Sequence, residues 1–189
     1  WHQLFDAIRG VTKRIYPNET DAEATTAESL KSFDTDGYTM GTDGTGNHDS
    51  HSDTYVAWNW KANGSGSSNT NGTINTTATS ANVDAGFSIS TYTGDGNDST
   101  IGHGLSKVPE MVIVKKRTTA APGGARNWAV YHSSLATDKV LQLSTTSAIL
   151  SEANFFREDL FSSSVFGCNG DYDTCYSGDT YVAYCFHSV

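Results

Sequence analysis

No apolar stretch in the chain is long enough to span a membrane as a helix, and only three cysteines occur in 189 residues. Cys168, Cys175 and Cys185 cannot all pair within one chain, and none belongs to the complete CxxC pairs that a structural zinc needs. Cys168 and Cys175 flank a short Gly and Asp loop that they could staple, and Cys185 falls mid-strand as a small buried residue. Leu, Ile, Val and Phe total only 34 residues, about 18%, which with a net charge of -9 is a warning of disorder. Basic residues are scarce too, which argues against nucleic acid as a partner, because phosphate binding needs a clustered cationic surface. The one basic cluster, Lys115, Lys116 and Arg117, reads as the solvated exit of a strand. Catalytic motifs are also missing. No HExxH occurs, and the string nearest to a nucleophile elbow, "GSGSS", lies in a polar run instead of a strand-to-helix turn.

Aromatic residues overturn the disorder warning. Nine Tyr and four Trp supply large amphipathic faces, enough for a packed core. Ser and Thr number 46 and Gly 18, a polar uncharged balance of the kind found in secreted or extracellular β-proteins.

The chain also repeats itself. "SDTYVAWNWKA" at 52–62 returns as "GDTYVAYCFHS" at 178–188, "FDTDGYTMGTDG" precedes the first phrase much as "FSSSVFGCNGDYD" precedes the second, and Trp1 answers Trp128. Both phrases alternate with period two, as strands do. Thr54, Val56, Trp58 and Trp60 share one face and Tyr55, Ala57 and Asn59 the other. In the second copy Val182, Tyr184 and Phe186 oppose Tyr181, Ala183 and Cys185. The large faces are expected in a core, which assigns Trp58, Trp60 and Tyr184 to the interior. "GFSISTYT" alternates likewise, while Met111–Val114, just after Pro109, is apolar without alternation, as in a strand covered on both faces. "NWAVYHS" and "KVLQLST" add two more strands. Thr20 and Glu23 form a capping box that predicts a short helix near 21–30, and a second helix is expected over about 146–156.

The expected fold is all-β: tandem jelly-roll-like β-sandwich modules with one or two short helices. Residues 1–61 would be the C-terminal part of a first repeat, 62–85 a Gly/Ser/Thr/Asn-rich linker, and 86–189 a complete second repeat. The first copy lacks a counterpart of 87–127, so it should be completed by further chain or by a neighbouring subunit.

Acidic residues gather before both phrases: Asp34, Asp36, Asp43, Asp49 and Asp53, then Asp171, Asp173 and Asp179. Asp34, Asp36, Asp171 and Asp173 are weak calcium candidates, since neither loop carries a complete calcium pattern and Asp is an ordinary turn residue. No metal, cofactor or catalytic residue is expected. His48, His51, His103, His132 and His187 show no ligand spacing, and five Asn-X-Ser/Thr sequons barely exceed chance. Tyr92, Tyr172 and Tyr176, near loops, are the aromatics best placed to stack on a sugar.

In combination, "LFDAIRGVTKRIY", "FDTDGYTMG", "DTYVAWNWKANG", "GFSISTYTGDG", "GHGLSKVPEMVIVKKR", "NWAVYHSSL", "SSVFGCNGD" and "DTYVAYCFHSV" resemble a repeat in structural and tail-fibre-like virion proteins of tailed phages, marine and cyanobacterial ones especially. Tyr55, Trp58, Trp60, Pro109, Trp128, Tyr181, Tyr184 and Phe186 are its structural signature here. The resemblance implies an exposed virion protein for architecture or adhesion and brings no enzymatic activity or ligand residue. The expected protein is extracellular and associates with copies of itself, a trimer being favoured, with other virion proteins and with a host-surface glycan. A glycan-binding module of a secreted protein and a capsid-decoration or filament subunit are the alternatives.

Overall fold

A computed structural model describes residues 1–48, 52–119, 124–151 and 155–189. The strands are β1 (Lys13–Arg14), β2 (Ala24–Thr25), β3 (Leu30–Phe33), β4 (Tyr38–Met40), β5 (Ala78–Asn82), β6 (Phe87–Thr93), β7 (Ser99–Gly102), β8 (Met111–Lys116), β9 (Ala129–His132), β10 (Lys139–Gln142), β11 (Leu150–Ser151), β12 (Val165–Cys168) and β13 (Thr180–Phe186). The protein is all-β and sandwich-like. Its centre is a seven-stranded antiparallel sheet in the order β11-β10-β9-β8-β13-β6-β5.

β13 is central because its alternation serves two cores at once. Tyr181, Ala183 and Cys185 point into one cluster with Tyr92, Val112 and Val114, and there they meet Ile101, Phe156 and Phe166. The β7–β12 pair and the flanking bridges Ile74–Ile101 and Phe156–Cys168 form the layer that covers this face. Val182 and Tyr184 point the other way with Phe87, Ile89 and Trp128, over a second cluster closed by Ile15, Leu4 and Ile8. The two-faced burial expected of Met111–Val114 is present: Val112 and Val114 join the first cluster and Ile113 the second. Between β5 and β6 the chain turns at Gly86, with φ +63°, where a Cβ would lie 2.3 Å from the His187 carbonyl oxygen.

Four expectations need correction. Residues 21–30 are not helical: β2 and a bend occupy them. The expected capping box is taken apart by long-range partners, since Glu23 accepts from Arg117 Nε at 2.8 Å and the Thr20 carbonyl accepts from Lys115 Nζ at 2.7 Å. Over 146–156 the described residues hold β11 and an isolated bridge at Phe156, and the short helical turn falls later, at Glu158–Leu160. The linker expected at 62–85 contains the edge strand β5, where Ser80 is buried and its neighbours half-buried, and the polar side chains in and just before the strand are hydrogen-bonded. Thr76 Oγ1 meets Thr79 Oγ1 at 2.9 Å, and Ser80 Oγ accepts from Asn63 N–H at 2.7 Å. Lys115 and Lys116 are fully buried, not solvated. Lys115 Nζ also donates to the Arg126 carbonyl and lies 5.9 Å from the Trp128 ring.

Residues 1–26 therefore cover the second face of the central sheet. A polar lattice fixes them there. Arg9 Nε donates to Asp6 Oδ2 at 2.5 Å, Tyr184 Oη donates to the same oxygen at 2.7 Å, and Glu23 bridges Arg9 and Arg117. Charges this deeply buried are tolerable only when paired.

His103 gives the fold a pH dependence. It is fully buried; Nδ1 accepts from Leu105 N–H at 3.0 Å, leaving Nε2 to donate to the Ser162 carbonyl at 3.2 Å. Burial, with His187 adding a smaller push, lowers the imidazole to about 4. The unfolded chain thus takes up this proton first as pH falls, and stability contributed above pH 6.5 is lost on acidification. Between pH 7 and pH 5 the loss should be about 2 kcal/mol. Asp173, raised to about 7, works in the opposite sense, so the comparison is with His103→Gln, which keeps both hydrogen-bonding roles. Urea unfolding at the two pH values should show a clearly shallower pH dependence in the variant, and equal slopes would reject the assignment.

Candidate functional surface

The two repeat copies have the same phrase and opposite environments. In the second, the phrase is β13, paired on both sides and buried. In the first, residues 52–61 form no strand and are exposed throughout. Tyr55 is 53% exposed, Val56 79%, Trp58 75% and Trp60 61%, so the interior placement expected for Trp58 and Trp60 is wrong, although that for Tyr184 is right. Trp1 is 73% exposed where Trp128 is fully buried. The difference lies in the partners: β13 lies between β6 and β8, and among the described residues the first phrase has no such neighbours. Hydrogen bonds hold it there: Tyr55 Oη accepts from His48 N–H at 3.2 Å and the Lys61 carbonyl accepts from Asn82 Nδ2 at 3.1 Å. Side chains of this size left open together mark an interaction site.

A second feature lies at the end of the sheet where the 169–179 loop packs on the turn after β6. Tyr172 and Tyr176 stack at 4.2 Å with 20° between planes, and the Arg126 guanidinium lies 4.7 Å from the Tyr172 ring centroid. Both rings are half-buried, in keeping with the expectation of accessible aromatics, whereas Tyr92 is buried in the core with its hydroxyl donating to the Thr174 carbonyl at 2.7 Å. Asp173, between the two tyrosines in sequence, is buried. Burial first, then Asp171, pushes its carboxyl up to about 7 against the pull of Arg126 and Lys115.

The calcium candidates do not converge. Asp34 closes the β3–β4 hairpin, accepting from Ser32 Oγ at 2.8 Å and Thr39 Oγ1 at 2.9 Å, and Asp171 accepts from Asp173 N–H at 2.8 Å as turn residues do. Asp36 is an exposed turn residue. Among the described residues no group of three or more His, Cys, Asp or Glu side chains could hold a metal ion. Asp43 is instead a structural anchor: burial would raise its carboxyl, but hydrogen bonds from Ser29 and Thr45 and the Arg14 charge hold it well below the usual carboxylate range. Asp49 and His51 lie outside the described residues. The three cysteines are buried free thiols, and Cys175 Sγ lies 3.8 Å from Asp95 Oδ1. A shallow hollow of about 440 Å³ is lined by Asp138, Arg157, Glu158 and Asp159 among others. Arg157 is paired there with Asp98 and Asp159.

A family model described as "Domain of unknown function (DUF7483)" matches residues 1–189. The chain belongs to that family. No curated protein and no solved structure matches it. Among the described residues, no helix is long and apolar enough to cross a membrane. The family match spans both repeat copies, and residues 1–26 are packed against the second copy's sheet.

Sequence reasoning found the phrase and its face pattern but missed that one copy is uncovered. It also missed the Asp6–Arg9–Glu23–Arg117 lattice, for which the three-residue spacing of Asp6 and Arg9 was the only local sign.

Proposed function

We propose that the chain is a non-enzymatic structural and adhesion module of a phage virion appendage, working as an assembly of several copies. The observation that carries this reading is the exposed phrase Thr54–Trp60, whose sequence is that of a core strand. Tailed-phage resemblance across nearly the whole chain supplies the virion setting, and a three-layer body suits repetition along a fibre. Many copies turn weak contacts into useful avidity. The adhesive half of the reading points to the Arg126–Tyr172–Tyr176 stack, since aromatic faces flanked by a cation and carboxylates are what a glycan packs on. A glycan-binding module that works as a monomer is the second reading, favoured by that same stack.

Light scattering of the purified chain, joined to acrylamide quenching of tryptophan fluorescence, separates them. An assembly that covers the phrase should exceed the 20.3 kDa of one chain, with Trp58 and Trp60 losing quenching as concentration rises. A monomer whose quenching never changes overturns the assembly reading and leaves the glycan module, to be tested on a glycan array with Tyr172→Ala as the control.

A further inference from the structure

We infer that residues 53–61 pair with the same segment of a second copy, as a two-stranded antiparallel ribbon with Ala57 on the two-fold axis. This rests on the assembly half of the proposed function and is independent of its virion setting. Among the described residues, 54–60 make no backbone–backbone hydrogen bond, while both faces of the segment carry exposed large side chains. Backbone groups left open in this way are a template for another strand. The second copy shows what the phrase does when partners are supplied: β13 pairs antiparallel through Thr180–Phe186, with Ala183, the counterpart of Ala57, buried between β6 and β8.

Register follows from charge and face. A two-fold antiparallel pair must place the same residue, or the same peptide bond, on its axis. With Ala57 there, Asp53 faces Lys61 of the second copy at both ends, Val56 faces Trp58, Thr54 faces Trp60 and Tyr55 faces Asn59. Opposite charges meet at both ends and Val56 packs on Trp58 on either side of the axis, pairings that favour neighbouring strands. An axis at Val56 or Trp58 keeps the faces but leaves Asp53 opposite Asn59 or Asn63. An axis at a peptide bond sets Val56 against Tyr55, Ala57 or Asn59 and mixes the faces, because a one-residue slip reverses every side chain. Asp53 and Lys61 are the only charged residues in the segment. The contact closes at two copies, so a dimer replaces the expected trimer as the first assembly step. Two strands of this length bury less than the standard interface of about 1,600 Å², which makes the dimer concentration-dependent.

The experiment uses the whole chain. Ala57→Cys and Asn59→Cys are each oxidised gently with diamide, the three native thiols being buried. In the Ala57→Cys variant the two introduced thiols flank the axis and come within disulfide reach. In Asn59→Cys each introduced thiol lies opposite Tyr55 of the second copy, and its mate is four residues further along that strand. Ala57→Cys should therefore cross-link faster by about tenfold or more. Sedimentation of the unmodified chain should show a monomer–dimer equilibrium that Asp53→Lys weakens and that Asp53→Lys with Lys61→Asp restores. An assembly whose Ala57→Cys form cross-links no faster than Asn59→Cys overturns this register but leaves the assembly reading standing. A chain monomeric at its highest soluble concentration overturns both.

Discussion

Replacing Trp128 by Ala is expected to lower stability by about 3–5 kcal/mol and to detach residues 1–26 from the sheet. The side chain is fully buried, stacks on Tyr184 at 6.4 Å with 22° between planes, and lies under the Lys115 ammonium. Its indole Nε1–H donates to the Tyr16 carbonyl at 2.9 Å, a bond spanning 112 residues. Truncation thus removes packing from the second core and leaves that carbonyl and Lys115 without their cover. Against a total of about 5–15 kcal/mol for a domain of this kind, the loss is a large share. Trp128→Phe keeps most of the ring and loses only the hydrogen bond, so about 1 kcal/mol is expected. Urea unfolding gives both numbers. Tryptic cleavage after Lys13 and Arg14, half-buried in the native chain, reads the detachment: it should accelerate sharply in Trp128→Ala under native conditions. Cleavage at the wild-type rate would show that residues 1–26 hold without this anchor.

Legibility in the sequence followed the range of the interaction. Period-two alternation is a local signal, and it placed Val182, Tyr184 and Phe186 opposite Tyr181, Ala183 and Cys185 correctly because β13 has neighbours on both sides. Applied to Thr54–Trp60, the same letters gave a buried face that does not exist, since burial belongs to the partners and not to the phrase. Thr20 and Glu23 carried a helix signal that Lys115 and Arg117 override from about 95 residues away. Such tertiary override is ordinary for a weak local propensity. The 62–85 run was misread for a related reason. Its residues are small and polar, a composition shared by linkers and by edge strands whose hydroxyls bond one another, and only the long-range Asn63–Ser80 and Ile74–Ile101 contacts tell them apart. The exposed aromatic phrase was legible as a strand and illegible as a surface, and its charge-matched register emerges only once both facts are held together.

Breaking the Lys116–Asp179 pair should cost as much as the Trp128 truncation, while deleting both charges should not. Lys116 is fully buried at the end of β8, and its Nζ lies 2.7 Å from Asp179 Oδ2, whose side chain is 8% exposed. Neither atom finds a well-directed hydrogen bond, so the contact is one of charge on charge. Asp179 Oδ1 is occupied separately, accepting from Thr118 Oγ1 at 2.8 Å. Asp179→Asn or Lys116→Met leaves one buried charge unpaired, at a cost of about 3–5 kcal/mol. The paired change, Lys116→Met with Asp179→Leu, removes both desolvation penalties and replaces them with apolar volume, so it should lie within about 1–2 kcal/mol of wild type or above it. The coupling in a double-mutant cycle measured by urea unfolding is the readout. Additive single and double losses would mean that the two groups act through separate neighbours, Thr118 for the aspartate among them, and that the pair contributes no interaction of its own.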